Sequence, residues 1–132
     1  MRKRILSFVL VFALVCAMSI SVSAGSASVY GETSGSKYNP LETSGELYVY
    51  TDHAVAETWC EVDSFVVLTK VYFIHKGENN VDVTYSDSGR TTASAYRTGD
   101  LTVLTGVRGS SLHKVESEDW GNWTYSLNAN LY

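Results

Sequence analysis

The side chains best placed to do chemistry in this chain are aromatic and acidic rather than nucleophilic. Trp59 stands between Glu57 and Glu61. Alternate residues of an extended chain share a face, so these three side chains are expected on one side of a strand. An exposed indole stacks on the C–H face of a sugar ring, and flanking carboxylates accept hydrogen bonds from its hydroxyls. Trp59, Glu57 and Glu61 are therefore the expected ligand contacts. Trp120, in a turn near the C-terminus, is a second aromatic candidate. Tyr48 and Tyr50 would extend such a platform. The competing reading is packing, with Trp59 covering a neighbouring strand.

Other chemistries find less support. Glu57 and Glu61 are four residues apart, which puts their backbones roughly 13 Å from each other in a strand. That is wide for a glycosidase carboxylate pair. His53, His75 and His113 make no short-spaced ligand pair, and there is no Cys-x-x-Cys, so no metal and no cofactor is expected. His113, beside Gly109, Ser110 and Ser111, is the histidine expected in a polar niche, and histidines hydrogen-bonded at a sheet rim are the ordinary case. Asp52 adjoins His53, but adjacent strand residues point to opposite faces, and no Gly-x-Ser-x-Gly turn is present. The acids around Glu116, Glu118 and Asp119, or Asp82 and Asp87, match no EF-hand loop. No catalytic constellation emerges, and an enzyme is not expected.

Strands must position these residues, because the dominant pattern from Glu46 onward has period two. Leu47 and Val49 alternate with Tyr48 and Tyr50. Ala54, Ala56, Thr58 and Cys60 form a small, apolar face opposite Glu57, Trp59 and Glu61, so Cys60 is expected in the core. Residues 65–75 are apolar on both faces and suit a central strand covered on both sides. Val81, Val83 and Tyr85 alternate with polar residues, and Thr91, Ala93 and Ala95 make a weaker strand. Thr98-Gly99-Asp100 reads as a hairpin turn. Leu101, Val103 and Val107 lead into a strand ending near Val115. After a turn at Asp119-Trp120-Gly121-Asn122, Trp123, Tyr125, Leu127, Ala129 and Leu131 point one way.

About seven strands with frequent turns and no clear helix predict an all-β fold, an antiparallel β-sandwich, with a small β-barrel as the alternative. Residues 25–45 are rich in Gly, Ser and Thr and hold the only proline, Pro40. Glu32-Thr33-Ser34-Gly35 recurs there as Glu42-Thr43-Ser44-Gly45. This stretch reads as a flexible arm with at most one short strand, ahead of a domain over 46–132.

Residues 1–24 read as a cleaved signal peptide. Arg2, Lys3 and Arg4 precede an apolar run from Ile5 to Ile20, and the small-residue exit Val22-Ser23-Ala24 places cleavage after Ala24. The apolar run falls short of the roughly 20 residues of a membrane span. Ten cations and 14 acids give the whole chain a charge of −4. The leader holds three of those cations and none of the acids, so the processed chain would carry −7. An acidic surface repels polyanions, so nucleic acid is not an expected partner. The processed chain keeps one cysteine, Cys60, and so forms no internal disulfide.

The expectation is an exported or cell-surface, non-enzymatic binding or interaction module, its partner a glycan or a surface protein. A small secreted antimicrobial or toxin-like effector is one alternative. A self-assembling surface protein, with residues 25–45 donated as a strand, is the other.

Overall fold

The computed structural model describes residues 25–99 and 104–132. The leader and its cleavage point lie outside the described residues, as do Asp100, Leu101 and Val103. Eight strands are present: β1 (Ser26–Glu32), β2 (Glu42–Val49), β3 (His53–Cys60), β4 (Val66–Lys76), β5 (Asp82–Gly89), β6 (Thr92–Tyr96), β7 (Thr105–Val115) and β8 (Trp123–Asn130). They form two antiparallel four-stranded sheets, β1-β2-β3-β6 (sheet A) and β5-β4-β7-β8 (sheet B). The fold is the all-β sandwich that the alternation predicts. Among the described residues, the only helical pieces are single 3-10 turns at Asp63–Phe65 and Glu78–Asn80.

Period-two patterning builds the core. Leu47, Val49, Ala54, Ala56, Ala93 and Ala95 point inward from sheet A and meet Val71, Phe73, Val107, Leu127 and Ala129 from sheet B. The small alanines of β3 and β6 let Phe73 reach across the interface at full burial. Cys60 is 1 % exposed and belongs to a second cluster with Leu41, Val66 and Val115. Burial pushes its thiol pKa up, which leaves it a small apolar residue rather than a reactive thiol.

Three expectations are corrected. First, residues 25–45 are not a separate arm. They supply β1 and the opening of β2, with Ala27 and Val29 packed on the core and Ser28 opposite Glu46. A Gly/Ser/Thr composition hides a strand whose inward positions are merely small. The repeated tetrapeptide is not a structural repeat either. Glu32 closes β1 opposite Glu42, so one copy leaves the sheet where the other enters it.

Second, β4 is central in sheet B but is not covered on both sides. The register shifts between Val66 and Leu68. Val66 points inward, then Thr69, Val71, Phe73 and His75 do. This bulge moves apolar residues of both parities into one chain segment, and Tyr72 and Ile74 remain on the partly exposed outer face. Third, β6 and β7, the strands on either side of the expected Thr98-Gly99-Asp100 turn, do not pair, because they belong to different sheets.

One end of the sandwich is tied by main-chain hydrogen bonds between loops. The β1–β2 loop donates from the Ser34, Gly35 and Tyr38 amides to the Asn122, Trp120 and Asp119 carbonyls, at 3.0, 2.9 and 3.1 Å. Gly121 makes this contact feasible. Its φ is +84°, and a Cβ there would lie 2.7 Å from the Gly35 amide nitrogen. Gly121→Ala is expected to destabilise the fold by ~2 kcal/mol, combining an unfavourable backbone conformation with a main-chain clash. Urea unfolding of the purified variant checks this value.

Candidate functional site

The outer face of sheet A holds two of the four predicted ligand residues, Trp59 and Glu57. Register places Ser44 opposite Trp59, Glu46 opposite Glu57, and Glu57 opposite Thr92. Directly opposite residues of antiparallel strands carry their side chains on the same face. Trp59 is 49 % exposed, while its neighbours in sequence, Thr58 and Cys60, are buried. A cleft of about 530 Å³ opens beside it, lined by Ser44, Glu46, Glu57, Trp59, Asp63 and Thr92 among others.

Two of the predicted acids part company here. Glu57 faces the cleft. Glu61 lies just past the end of β3, with Oε2 3.5 Å from the Glu42 amide nitrogen, and is not among the lining residues. The carboxylate that joins Glu57 is Glu46, from the neighbouring strand. No spacing rule within one strand reveals that partner; β2–β3 register does. Like charges directly opposite each other are unfavourable in a sheet. Among the described residues no ion pair joins Glu46 or Glu57 to a cation, and the strands of sheet A contain no lysine or arginine. The Tyr48 hydroxyl donates to Glu46 Oε2 at 3.1 Å. Burial, with the negative charge of Glu46 beside it, holds the Tyr48 phenol protonated, its pKa raised to about 12.

Trp120 is placed elsewhere. It sits in the β7–β8 turn, stacked on Tyr38 at 4.8 Å between ring centroids and tilted against Phe65 at 5.4 Å. It packs on the second core cluster and does not line the Trp59 cleft. Trp123 also packs on that cluster, its indole lying over Gly31.

No family model, no curated protein and no solved structure matches the chain. Function therefore has to be read from the chemistry of its surfaces and its buried polar groups.

The far end of the same face holds a three-ring stack. His53 lies between Tyr50 and Tyr96, with centroids 4.5 and 4.7 Å away and rings within 14° of parallel. Asp52 and His53 do interact, contrary to the expectation from strand geometry. Asp52 Oδ1 is 2.7 Å from His53 Nδ1, because Asp52 belongs to the bend before β3 and not to the strand. That hydrogen bond lowers the Asp52 carboxyl pKa.

His113 is not at a sheet rim. It is fully buried in β7, inside a polar cluster between the sheets. Its Nδ1 is 2.7 Å from Thr58 Oγ1, and its Nε2 is 2.8 Å from Ser111 Oγ. Thr69 Oγ1 is 2.6 Å from both Thr58 Oγ1 and the Arg90 carbonyl. The carbonyl only accepts, so the single Thr69 proton goes to it. Thr58 must then donate to Thr69, and Thr58 Oγ1 accepts from His113 Nδ1–H. Nε2 is left as the acceptor for Ser111. One directed chain from Ser111 to Arg90 then satisfies every member with the imidazole neutral. Burial agrees, pushing the His113 pKa down from 6.5 to about 4. The cluster is closed to solvent, and its hydrogen bonds join the two sheets within the core. Among the described residues, no group of three or more His, Cys, Asp or Glu side chains is arranged to hold a metal ion.

Proposed function

We propose that this chain is an exported, non-enzymatic binding module that recognises a glycan on the outer face of sheet A. The observation that carries this reading is the half-exposed Trp59 indole at a cleft of about 530 Å³ edged by Glu57, Glu46 and Thr92. The exposed half of the indole forgoes hydrophobic stabilisation that burial would have gained. A sugar ring stacked on the indole would recover that term, while Glu57, Glu46 and Thr92 accept hydrogen bonds from ring hydroxyls. Export rests on the leader, and the surface-protein alternative is a partner for the same face. Strand donation by residues 25–45 loses its support, because β1 is already paired with β2 in its own sheet.

The test is a titration of residues 25–132 with cell-wall and plant glycans, followed by tryptophan fluorescence. A saturable change is expected, and Trp59→Ala is expected to abolish it while shifting stability by less than ~0.5 kcal/mol, as for other surface substitutions. A flat response to every glycan would leave Trp59 without a sugar ligand and end this reading.

A further inference from the structure

We propose that copies of this chain stack face to face, the acidic outer face of sheet A on one copy seated against the basic outer face of sheet B on the next. This goes beyond glycan recognition and does not depend on it.

The two faces are opposite in charge. The strands of sheet A hold Glu32, Glu42, Glu46 and Glu57 and no lysine or arginine. The strands of sheet B hold Lys70, Lys76, Arg108 and Lys114, and Asp82 is the one carboxylate that their outer positions offer. It already binds Lys76, at 2.8 Å, and Arg108. Both partners hold the Asp82 pKa down to about 2. Lys70 lies over the Tyr72 ring at 5.1 Å, and Lys114 forms a long, exposed ion pair with Glu116 at 3.8 Å that a partner carboxylate can share.

The spacing of these charges also agrees. Glu46 and Glu57 are directly opposite across β2 and β3, about 5 Å apart at Cβ. Lys70 is opposite Leu112 across β4 and β7, which makes Lys114 its diagonal neighbour at roughly 7–8 Å. Lysine side chains span that difference. Apolar groups accompany the charges on both sides: Trp59 and Tyr48 on sheet A, Val67 and Tyr72 on sheet B. A lysine ammonium over an indole or phenol ring gains further attraction. The Glu46–Glu57 pair has a physical complement in such a contact, since two ammonium groups neutralise it.

A four-stranded face measures roughly 20 by 25 Å from strand spacing and rise. Two such faces together bury about 1,000 Å², at the lower limit of specific interfaces. The association is therefore weak. It is also head to tail, so it grows in open rows rather than closing as a dimer.

Sedimentation equilibrium of residues 25–132, which contain all eight strands, tests this without any glycan present. The average mass of the parent protein is expected to climb past the dimer as concentration approaches ~1 mM, the range such small interfaces reach. Glu46→Lys with Glu57→Lys, and separately Lys70→Glu with Lys114→Glu, are each expected to weaken association at least tenfold. An equimolar mixture of the two double variants is expected to regain it, because each then offers the face that the other lacks. That recovery also excludes misfolding as the cause of the losses. A parent protein that stays monomeric overturns the proposal, and so does an association indifferent to both charge reversals. A flat glycan titration ends the glycan reading and leaves this result where it stands.

Discussion

Acidification from pH 7 to pH 4 is expected to remove ~3 kcal/mol of folding stability through His113 alone. The imidazole is fully buried, and its pKa falls from 6.5 to about 4 on folding. Above pH 6.5 it is neutral in both states and the stability is complete. Between 6.5 and 4 the unfolded chain binds a proton that the folded chain refuses. Stability then falls by about 1.4 kcal/mol per pH unit. Below the folded value both states are protonated and this contribution stops changing. Protonation would also turn Nε2 from acceptor to donor, so the Ser111 hydroxyl would have to rotate to accept from it. Urea unfolding across this range, compared between the parent protein and His113→Gln, isolates the residue from the carboxylates that titrate alongside. The parent protein should lose ~3 kcal/mol more than the variant between the two pH values. An NMR titration in which His113 protonates near 6.5 in the folded state would contradict the argument.

The histidine also illustrates how far the sequence could be read. Its polar niche was legible in Ser110 and Ser111 beside it, and its strand phase in Val107 and Val115. Its depth was not, because Thr58, which bonds its Nδ1, and Thr69, which bonds Thr58 in turn, come from other strands in both sheets. Alternation likewise marks every strand whose two faces differ in polarity. It misses β1, whose inward residues are Ala27, Val29 and Gly31, too small to register against a Ser-rich background. It misreads β4 because a bulge changes parity after Val66. Both failures have one origin. A period-two pattern reports side-chain polarity at constant register, and neither small residues nor bulges obey that premise.

The candidate site divides in the same way. Trp59 and Glu57 were readable because they share a strand with the buried Ala54, Ala56, Thr58 and Cys60, which fix which face points out. Glu46 was not, since its place in the cleft depends on which residue of β2 lies opposite Glu57. Trp120 sits in a loop, where no period applies, and its burial comes from Tyr38 and Phe65, distant in sequence. The charge asymmetry between the two faces depends on the same long-range information. Every charged residue is visible in the chain, but their sorting into opposite faces appears only once the sheets are assembled.

Gly45→Ala is expected to destabilise the fold by ~2 kcal/mol, and the loss is expected to depend on His113. Gly45 lies in the middle of β2, where glycine is ordinarily unfavourable, since it packs nothing and loses the most backbone entropy. Its presence is explained by what faces it. A Cβ at position 45 would come within 2.8 Å of the His113 ring carbons Cγ and Cδ2. The imidazole rests on bare backbone, and that close approach is what lets a side chain of its size lie flat between the sheets with both nitrogens bonded. An added methyl must move the ring, and moving the ring breaks hydrogen bonds to Thr58 and Ser111 that no water can replace at this depth. His113→Ala alone is expected to cost ~3 kcal/mol, from the cavity and from hydroxyls left without their partner. The double variant should cost at least ~1 kcal/mol less than the two losses added together, because the new methyl at position 45 enters the space that the ring leaves. Equilibrium unfolding of the four proteins measures that coupling. Strict additivity would mean that the ring and the glycine do not share this space, and the account of a core organised around His113 would fail with it.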